Sequence, residues 1–222
     1  FKTAKVIAIP KPNKPKNNPS SYRPISLLSN LGKLFEKIIY TRLNEYSTEN
    51  SIIINEQFGF KKEHSTTHQI SRIKNKIISN KYNKRSTGLI LLDIEKAFDT
   101  VWHNGLLYKL IVGNIPKYLC GLIADFIENR TFMVSIDNEL SSPKAITTGL
   151  PQGSVLSPLL YSIYTSDFQV PSYMKAAYYA DDTALITSSK LTSSLIKKIE
   201  KGLLACNKYF YKWKIKINTN KT

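Results

Sequence analysis

The chain has 222 residues, 42% of them hydrophobic, which is enough for a substantial core and too few for several independent domains. Lysine and arginine number 32 against 16 acidic residues, and the net charge of +16 is concentrated in residues 2–16, 61–85 and 197–221, which suits a polyanionic partner. No apolar run approaches the ~18–20 residues of a membrane span. Cys120 and Cys206 fit no zinc or disulfide pattern, so we expect both to be reduced thiols in an intracellular protein.

The first third of the chain predicts one strand, one loop and two helices. Residues 4–9 read as a short strand, and the proline-rich, basic segment 10–21 excludes a helix or a central strand. Two helices should come next, and the second should begin after Ser65. Both helices are predicted from apolar residues at helical spacing, which are Leu31, Leu34, Phe35, Ile38, Ile39 and Leu43 in the first and Ile70, Ile73, Ile77 and Ile78 in the second.

The middle of the chain predicts a buried strand, two helices and a β-hairpin. An apolar run at 88–92 ends in Asp93 and reads as the strand. Helices are predicted near 103–112 and 117–128, the second with Pro116 at its start. Residues 131–149 alternate about an Asp-Asn-Glu turn, as a hairpin does.

The last third predicts a helix at 155–168 and two strands within 174–187, joined at a pair of aspartates. A long helix at 193–213 and a short strand at 214–217 should close the chain. Strands that form antiparallel hairpins between helices indicate an α+β fold, in which helices pack on one face of an antiparallel sheet.

Three carboxylates stand where burial makes them costly. Asp93 follows four apolar residues, and Asp181 and Asp182 follow the run AAYYA. A divalent metal ion is the simplest partner that would offset their negative charge, because Mg²⁺ binds a few carboxylates together with water and substrate phosphates. Two such ions about 3.5–4 Å apart can stabilise the attacking and leaving oxygens of a phosphoryl transfer. An isolated Asp-Asp pair is otherwise most often a turn.

Six blocks in the chain resemble, in order, those of the reverse transcriptases of non-LTR retrotransposons, which are LINE-like elements of the jockey type. The blocks are YRPISLLSNLGKLFEKII, EQFGFKKEHSTTHQI, LLDIEKAFDTVWH, GLPQGSVLSPLLYSIY, YYADDTAL and NTNKT. The paired aspartates alone are a weak signal, whereas six ordered blocks along nearly the whole chain are specific.

The resemblance implies a right-hand polymerase fold. Residues 1–88, with 114–150, are expected to form the fingers, and residues 89–222 the palm. A thumb and an upstream endonuclease are expected to lie outside the chain. The implied activity is RNA-directed DNA polymerisation, in which dNTPs are added to a DNA primer on an RNA template. By analogy the protein would work in the nucleus and cytoplasm, with no membrane partner, and the sequence leaves its oligomeric state open.

The resemblance also assigns a metal and catalytic set. Asp93 and Asp181 match the aspartates that hold two Mg²⁺ ions, for which Mn²⁺ can substitute, and the backbone carbonyl of Ile94 matches a further ligand. Asp182 matches a supporting catalytic carboxylate. Lys221 matches a lysine near the leaving pyrophosphate, where a cation can donate a proton or stabilise charge.

A second set is expected to bind the nucleotide. Lys11 and Arg23 match finger positions that grip the triphosphate, and Gln152 and Gly153 match a nucleotide-facing turn. Phe98 matches an aromatic gate against the ribose 2′-position. Read without the resemblance, the cations would be solvated and Phe98 would belong to the core.

Three other interpretations stay open at this stage. A group II intron type reverse transcriptase and a viral RNA polymerase share the palm aspartates, although an aromatic residue at position 98 favours DNA synthesis. The chain also fits a decayed, catalytically inactive nucleic-acid-binding product. The QFGF block at 57–60 and the basic helix after it are expected to contact the template, with a solvated helix face as the alternative.

Overall fold

A computed structural model describes residues 2–137 and 139–222, apart from the side chain of Ser20. Internal contacts divide the chain into two compact units. The first unit contains Phe1–Ile52 and Phe98–Tyr164, and the second contains Ile53–Ala97 and Thr165–Thr222. Among the described residues, no helix is both long and apolar enough to cross a membrane.

The elements alternate between strands and helices, as an α+β fold requires. In chain order they are β1 (Thr3–Pro10), β2 (Tyr22–Leu27), α1 (Asn30–Glu49), α2 (Thr66–Tyr82), β3 (Ser86–Leu92), α3 (His103–Val112), α4 (Lys117–Ile127), β4 (Arg130–Ile136), β5 (Glu139–Leu140), β6 (Lys144–Ile146), α5 (Ser157–Tyr164), β7 (Met174–Tyr179), β8 (Asp182–Ser189) and α6 (Thr192–Lys212). The α+β class and most of the predicted elements are therefore confirmed.

The first unit is built on a mixed sheet with the order β2-β1-β4-β5, and β6 pairs with β4. β1 runs antiparallel to β2 and parallel to β4. Helix α1 begins after Ser29, whose hydroxyl accepts a hydrogen bond from the backbone of Gly32 at 3.0 Å. It buries Ile39 and Leu43. The other apolar residues that predicted this helix are solvent-exposed, so its apolar stripe is wider than the face it buries here. They are Leu31, Leu34, Phe35 and Ile38.

The second unit is built on an antiparallel sheet with the order β3-β8-β7. Side chains alternate across this sheet, and its core face includes Leu92, Leu185 and Ala176, which pack with Phe210 of α6. Helix α2 contacts β3 and β7. It begins after Ser65, as predicted, and the Ser65 hydroxyl accepts from the backbone of His68. Asp93, Asp181 and Asp182 all lie at one end of this sheet.

Three predicted elements differ from the structure. The helix predicted at 155–168 is shorter, because the Val155 and Leu156 amides bond to a side chain of α1 and Phe168 is buried in the core of the second unit. The strand predicted at 214–217 is wrong: only a single bridge forms, between Ile217 and Ile94. The return strand of the 131–149 hairpin is split into β5 and β6, and Asn138 of its predicted turn lies outside the described residues.

Candidate active site

The three aspartates meet at one end of the antiparallel sheet in the second unit. Leu92, the last residue of β3, pairs with Thr183 of β8, and Asp93 follows immediately. Tyr179 pairs with Asp182, so Ala180 and Asp181 form a two-residue hairpin loop between β7 and β8. Since β3 and β8 are neighbours, the pairing brings Asp93 to the strand that begins with Asp182.

Asp93 is held by the segment that follows α6. The Asn218 amide donates to Asp93 Oδ2 at 2.9 Å, and Lys221 Nζ lies 3.5 Å from the same oxygen. The Asn218 backbone N–H donates to the Asp93 carbonyl at 2.8 Å. The Lys221 side chain is 68% exposed, so its ion pair is screened and adds little to stability. Asn218, which sequence reasoning did not single out, fixes the carboxylate; its presence in the NTNKT block was the available signal.

The backbone of Ile94 pairs with the segment that follows α6. The bridge between Ile94 and Ile217 is made by flanking groups, since Asn218 N–H donates to Asp93 and Glu95 N–H donates to Lys216. In such an antiparallel pair the bridged residues' own N–H and C=O groups point away from each other. The Ile94 carbonyl therefore points away from Ile217.

The carboxylates influence one another electrostatically. Burial raises the pKa of the Asp181 carboxyl above its ordinary value, a backbone hydrogen bond opposes the shift, and the charges of Asp182 and Asp93 raise it further. A bound cation would relieve this repulsion. In residues 2–137 and 139–222, no three His, Cys, Asp or Glu side chains converge as ligands of one ion. Carboxylate oxygens are hard donors that suit a divalent cation such as Mg²⁺, whose shell is completed by water and phosphate.

The predicted nucleotide-facing turn lies in the first unit and is tied to two other segments. The Gln152 carbonyl accepts from the Ser26 backbone of β2 at 2.9 Å. The Gln152 side-chain amide donates to Asp99 Oδ1 at 2.9 Å, so its orientation is set by that carboxylate. Gly153 has φ of 106°, and a Cβ there would lie 2.9 Å from the Ser26 carbonyl oxygen. Asp99, missed by sequence reasoning, is thus the partner of Gln152.

Below this turn, a buried carboxylate of α1 binds the start of α5. Glu36 is 4% exposed, and its Oε2 accepts from Ser154 Oγ at 2.6 Å and from the Val155 backbone at 2.8 Å. Burial lowers the pKa of the Arg130 guanidinium, and the charge of Glu36 opposes that shift. Glu36 therefore joins α1 to the start of α5, a role that its place on a helix did not reveal.

Phe98, Arg23 and Lys11 also lie in the first unit. The Phe98 ring is partly buried and packs against Tyr161, with ring centroids 4.9 Å apart. Arg23 is exposed on β2 opposite Ile9, and Lys11 follows β1 directly. The Lys11 backbone donates to Ser21 at 2.8 Å, so both cations stand at the same end of the β1–β2 pair.

Gly149 should tolerate no side chain. Its φ is 89°, and a Cβ would lie 2.6 Å from the Asp99 carbonyl oxygen. We expect Gly149→Ala to lower the free energy of unfolding by about 1–3 kcal/mol or more, because it adds backbone strain to a steric clash. Gly121→Ala, on α4 with no atom within 4 Å of the new Cβ, should instead stabilise the protein by about 0.5–1 kcal/mol. Urea denaturation of both variants checks this, and equal effects would contradict the geometry.

Comparison with known families agrees with this arrangement. The family model for "Reverse transcriptase (RNA-dependent DNA polymerase)" matches residues 9–222. The chain is 40% identical to the probable RNA-directed DNA polymerase from transposon BS of Drosophila melanogaster, and 39% identical to that from the mobile element jockey of the same species. Both matches cover 100% of this chain and 25% of the relative, so the chain spans about a quarter of the length of these proteins.

Solved structures show the same fold. Apo telomerase from Candida tropicalis, truncated from its C-terminal domain, superposes with a TM-score of 0.66 at 18% identity, over 100% of this chain and 49% of that one. Telomerase from Candida albicans, solved with a fragment of telomeric RNA, gives 0.66 at 13% identity, over 100% and 42%. At these identities the likeness concerns the fold alone, and the family follows from the matched model: the chain belongs to the reverse transcriptase (RNA-dependent DNA polymerase) family.

Proposed function

We propose that this chain is the RNA-directed DNA polymerase core of a non-LTR retrotransposon, which adds dNTPs to the 3′-hydroxyl of a DNA primer on an RNA template. The observation that carries the proposal is that Asp93 and Asp181 lie at the same end of one antiparallel sheet, where their charges repel each other. Residues 1–88 with 114–150 would serve as the fingers, and residues 89–222 as the palm.

The residues of the second unit would help to stabilise the negative charge at the reacting phosphate. Asp93, Asp181 and the Ile94 carbonyl would hold two Mg²⁺ ions, or Mn²⁺ in their place, and these ions supply stabilisation of the attacking and leaving oxygens. Asn218 keeps one oxygen of Asp93 in a fixed direction, and Lys221 Nζ lies 3.5 Å from that oxygen. Lys221 Nζ would also stabilise, or protonate, the departing pyrophosphate.

The residues of the first unit would bind and orient the nucleotide. Lys11 and Arg23 would contact the triphosphate, because paired cations neutralise its charge. The Gln152 and Gly153 turn would face the nucleotide, and Asp99 would keep the Gln152 amide in one orientation. Positioning of this kind contributes much of the rate enhancement in phosphoryl transfer.

Phe98→Ala is expected to increase ribonucleotide incorporation relative to dNTP incorporation by about tenfold or more, because the ring would no longer exclude the 2′-hydroxyl. The measurement is the ratio of kcat/KM for one rNTP and its matching dNTP. Phe132→Ala, at another partly buried phenylalanine of the first unit, is the control and should leave the ratio unchanged. An unchanged ratio in Phe98→Ala would return Phe98 to a purely packing role.

The proposal is tested by primer extension with the full-length protein, Mg²⁺ and dNTPs on a primed RNA template. A DNA product complementary to the RNA supports RNA-directed polymerisation. Binding of the primed template without extension would favour the alternative of an inactive nucleic-acid-binding product.

A further inference from the structure

The hairpin loop that carries Asp181 contains a strained residue. Ala180 has φ of 58°, in the left-handed region that L side chains rarely adopt. It occupies the first position of the two-residue loop between Tyr179 and Asp182, where hairpin loops favour glycine. Such a backbone conformation persists only where neighbouring groups stabilise it. Because Asp181 follows Ala180 in the same loop, the groups that stabilise Ala180 should also fix the direction of Asp181.

Gln57 makes the hydrogen bonds that stabilise this conformation. Its side-chain Nε2 donates to the Ala180 carbonyl at 3.1 Å, and its Oε1 accepts from the Ala180 backbone N–H at 2.9 Å. The same oxygen accepts from the Gly59 backbone at 2.8 Å. Gln57 is 4% exposed, so these bonds are made away from water. One buried amide thus satisfies both backbone groups of the strained residue.

The segment around Gln57 is docked beside β7 by its own backbone. Tyr178 N–H donates to the Glu56 carbonyl at 3.1 Å, and Phe58 N–H donates to the Tyr178 carbonyl at 2.9 Å. Gly59 allows the close approach, because a Cβ there would clash with the backbone nitrogen of Ala180 and lie 2.7 Å from its Cα. The QFGF block, expected from its resemblance to contact the template, therefore turns its first side chain toward the aspartate loop.

We propose that Gln57 is a positioning residue for Asp181: it locks the left-handed Ala180 and thereby fixes the carboxylate beside Asp93. The inference rests on the proposed function, since its consequence is metal binding. Gln57 would act through the loop and not as a ligand, because both polar atoms of its side chain are bonded to backbone groups. Without its amide, the Ala180 N–H and C=O and the Gly59 N–H lose their partners. The loop would then relax, and a metal site tolerates only about 0.5 Å of displacement of its ligands.

The test compares Gln57→Met with Gln69→Met in the full-length protein. Methionine keeps an unbranched side chain of similar length and removes the hydrogen bonds of glutamine. Gln69 is a matched control because it is 5% exposed and its amide donates to the Glu56 and Tyr178 carbonyls, at 2.8 Å each, without reaching Ala180. Direct Mn²⁺ binding is measured by electron paramagnetic resonance, without nucleotide or primer. Loss of a supporting hydrogen bond typically weakens metal affinity about 10–100-fold.

We expect Gln57→Met to raise the Kd for Mn²⁺ at least about tenfold, and Gln69→Met to raise it less than about twofold. A wild-type Kd in Gln57→Met, or equal losses in both variants, would overturn the proposal. Adding Ala180→Gly to Gln57→Met should restore part of the affinity, because glycine adopts a positive φ without strain. No recovery would mean that Gln57 acts by packing rather than through the loop, which also contradicts the proposal.

Two further measurements separate the possible failures. If Asp181→Asn binds Mn²⁺ as tightly as the wild type, the proposed function is contradicted at its metal site. If Asp181→Asn loses Mn²⁺ binding and Gln57→Met keeps it, only the proposed role of Gln57 is contradicted. Hydrogen exchange on the unmodified protein needs no variant to fold. The Ala180 amide should exchange slowly despite its place at a hairpin tip, and rapid exchange would overturn the proposal.

Discussion

Asp181→Asn is expected to slow primer extension by at least about a thousandfold while the protein stays folded. Asparagine keeps the shape of the side chain and removes its charge. Stabilisation of transition-state charge by a bound metal is worth several kcal/mol, and each 1.36 kcal/mol corresponds to about a tenfold change in rate. The measurement is the rate of single-nucleotide incorporation at saturating Mg²⁺ and dNTP.

The stability of Asp181→Asn should equal or slightly exceed that of the wild type. Burial and the charges of Asp182 and Asp93 raise the pKa of Asp181, so the folded state disfavours its ionised form. Asp125→Asn, at an exposed residue of α4, removes the same charge far along the chain and should leave the incorporation rate within about twofold. A large loss in Asp125→Asn, or none in Asp181→Asn, would speak against the assigned site.

Glu36→Ala is expected to have the largest effect on stability, lowering the free energy of unfolding by about 2–4 kcal/mol, because buried donors lose a charged acceptor. The substitution strips Ser154 Oγ and the Val155 N–H of their buried acceptor. It also removes the negative charge that favours the protonated form of Arg130, itself only 4% exposed. Guanidinium chloride denaturation measures the loss.

Glu36→Gln should lose less than Glu36→Ala, because the glutamine Oε1 still accepts hydrogen bonds although its charge is gone. Glu45→Ala, at an exposed position on the same helix, should change stability by no more than about 0.5 kcal/mol. If Glu36→Ala were as mild as Glu45→Ala, the bonds from Glu36 to the start of α5 would not support that turn.

Local patterns were sufficient to predict most elements of the fold. The β7–β8 hairpin followed from two apolar runs on either side of the aspartates, and α1, α2 and α6 followed from apolar residues at helical spacing. Patterns did not show which face of α1 is buried, because Leu31 and Ile38 are as apolar as Ile39 and yet exposed. The strand predicted at 214–217 was also wrong. Its backbone pairs beside β3 through a single bridge and does not form a strand, which its apolar residues alone could not show.

The aspartates could be singled out from the sequence because an acid at the end of an apolar run is anomalous by itself. Four positioning residues all lie in the six blocks, namely Gln57, Asn218, Glu36 and Asp99. Their roles could not be predicted, because each acts through a partner distant in sequence. The bond from Gln57 to Ala180 spans 123 residues, that from Asn218 to Asp93 spans 125, and that from Glu36 to Ser154 spans 118. A glutamine or glutamate in a single sequence carries no sign of such a partner, so these positioning residues emerge only from the fold.

The most direct test of the central claim is primer extension on a primed RNA template with Mg²⁺ and dNTPs, run in parallel on wild-type protein and Asp181→Asn from identical purifications. Extension by the wild type alone, giving DNA complementary to the template, is the expected result and would establish reverse transcription through this site. Equal extension by both proteins would contradict the assignment of Asp181. Template binding without extension by either would show that the chain binds nucleic acid without polymerising it.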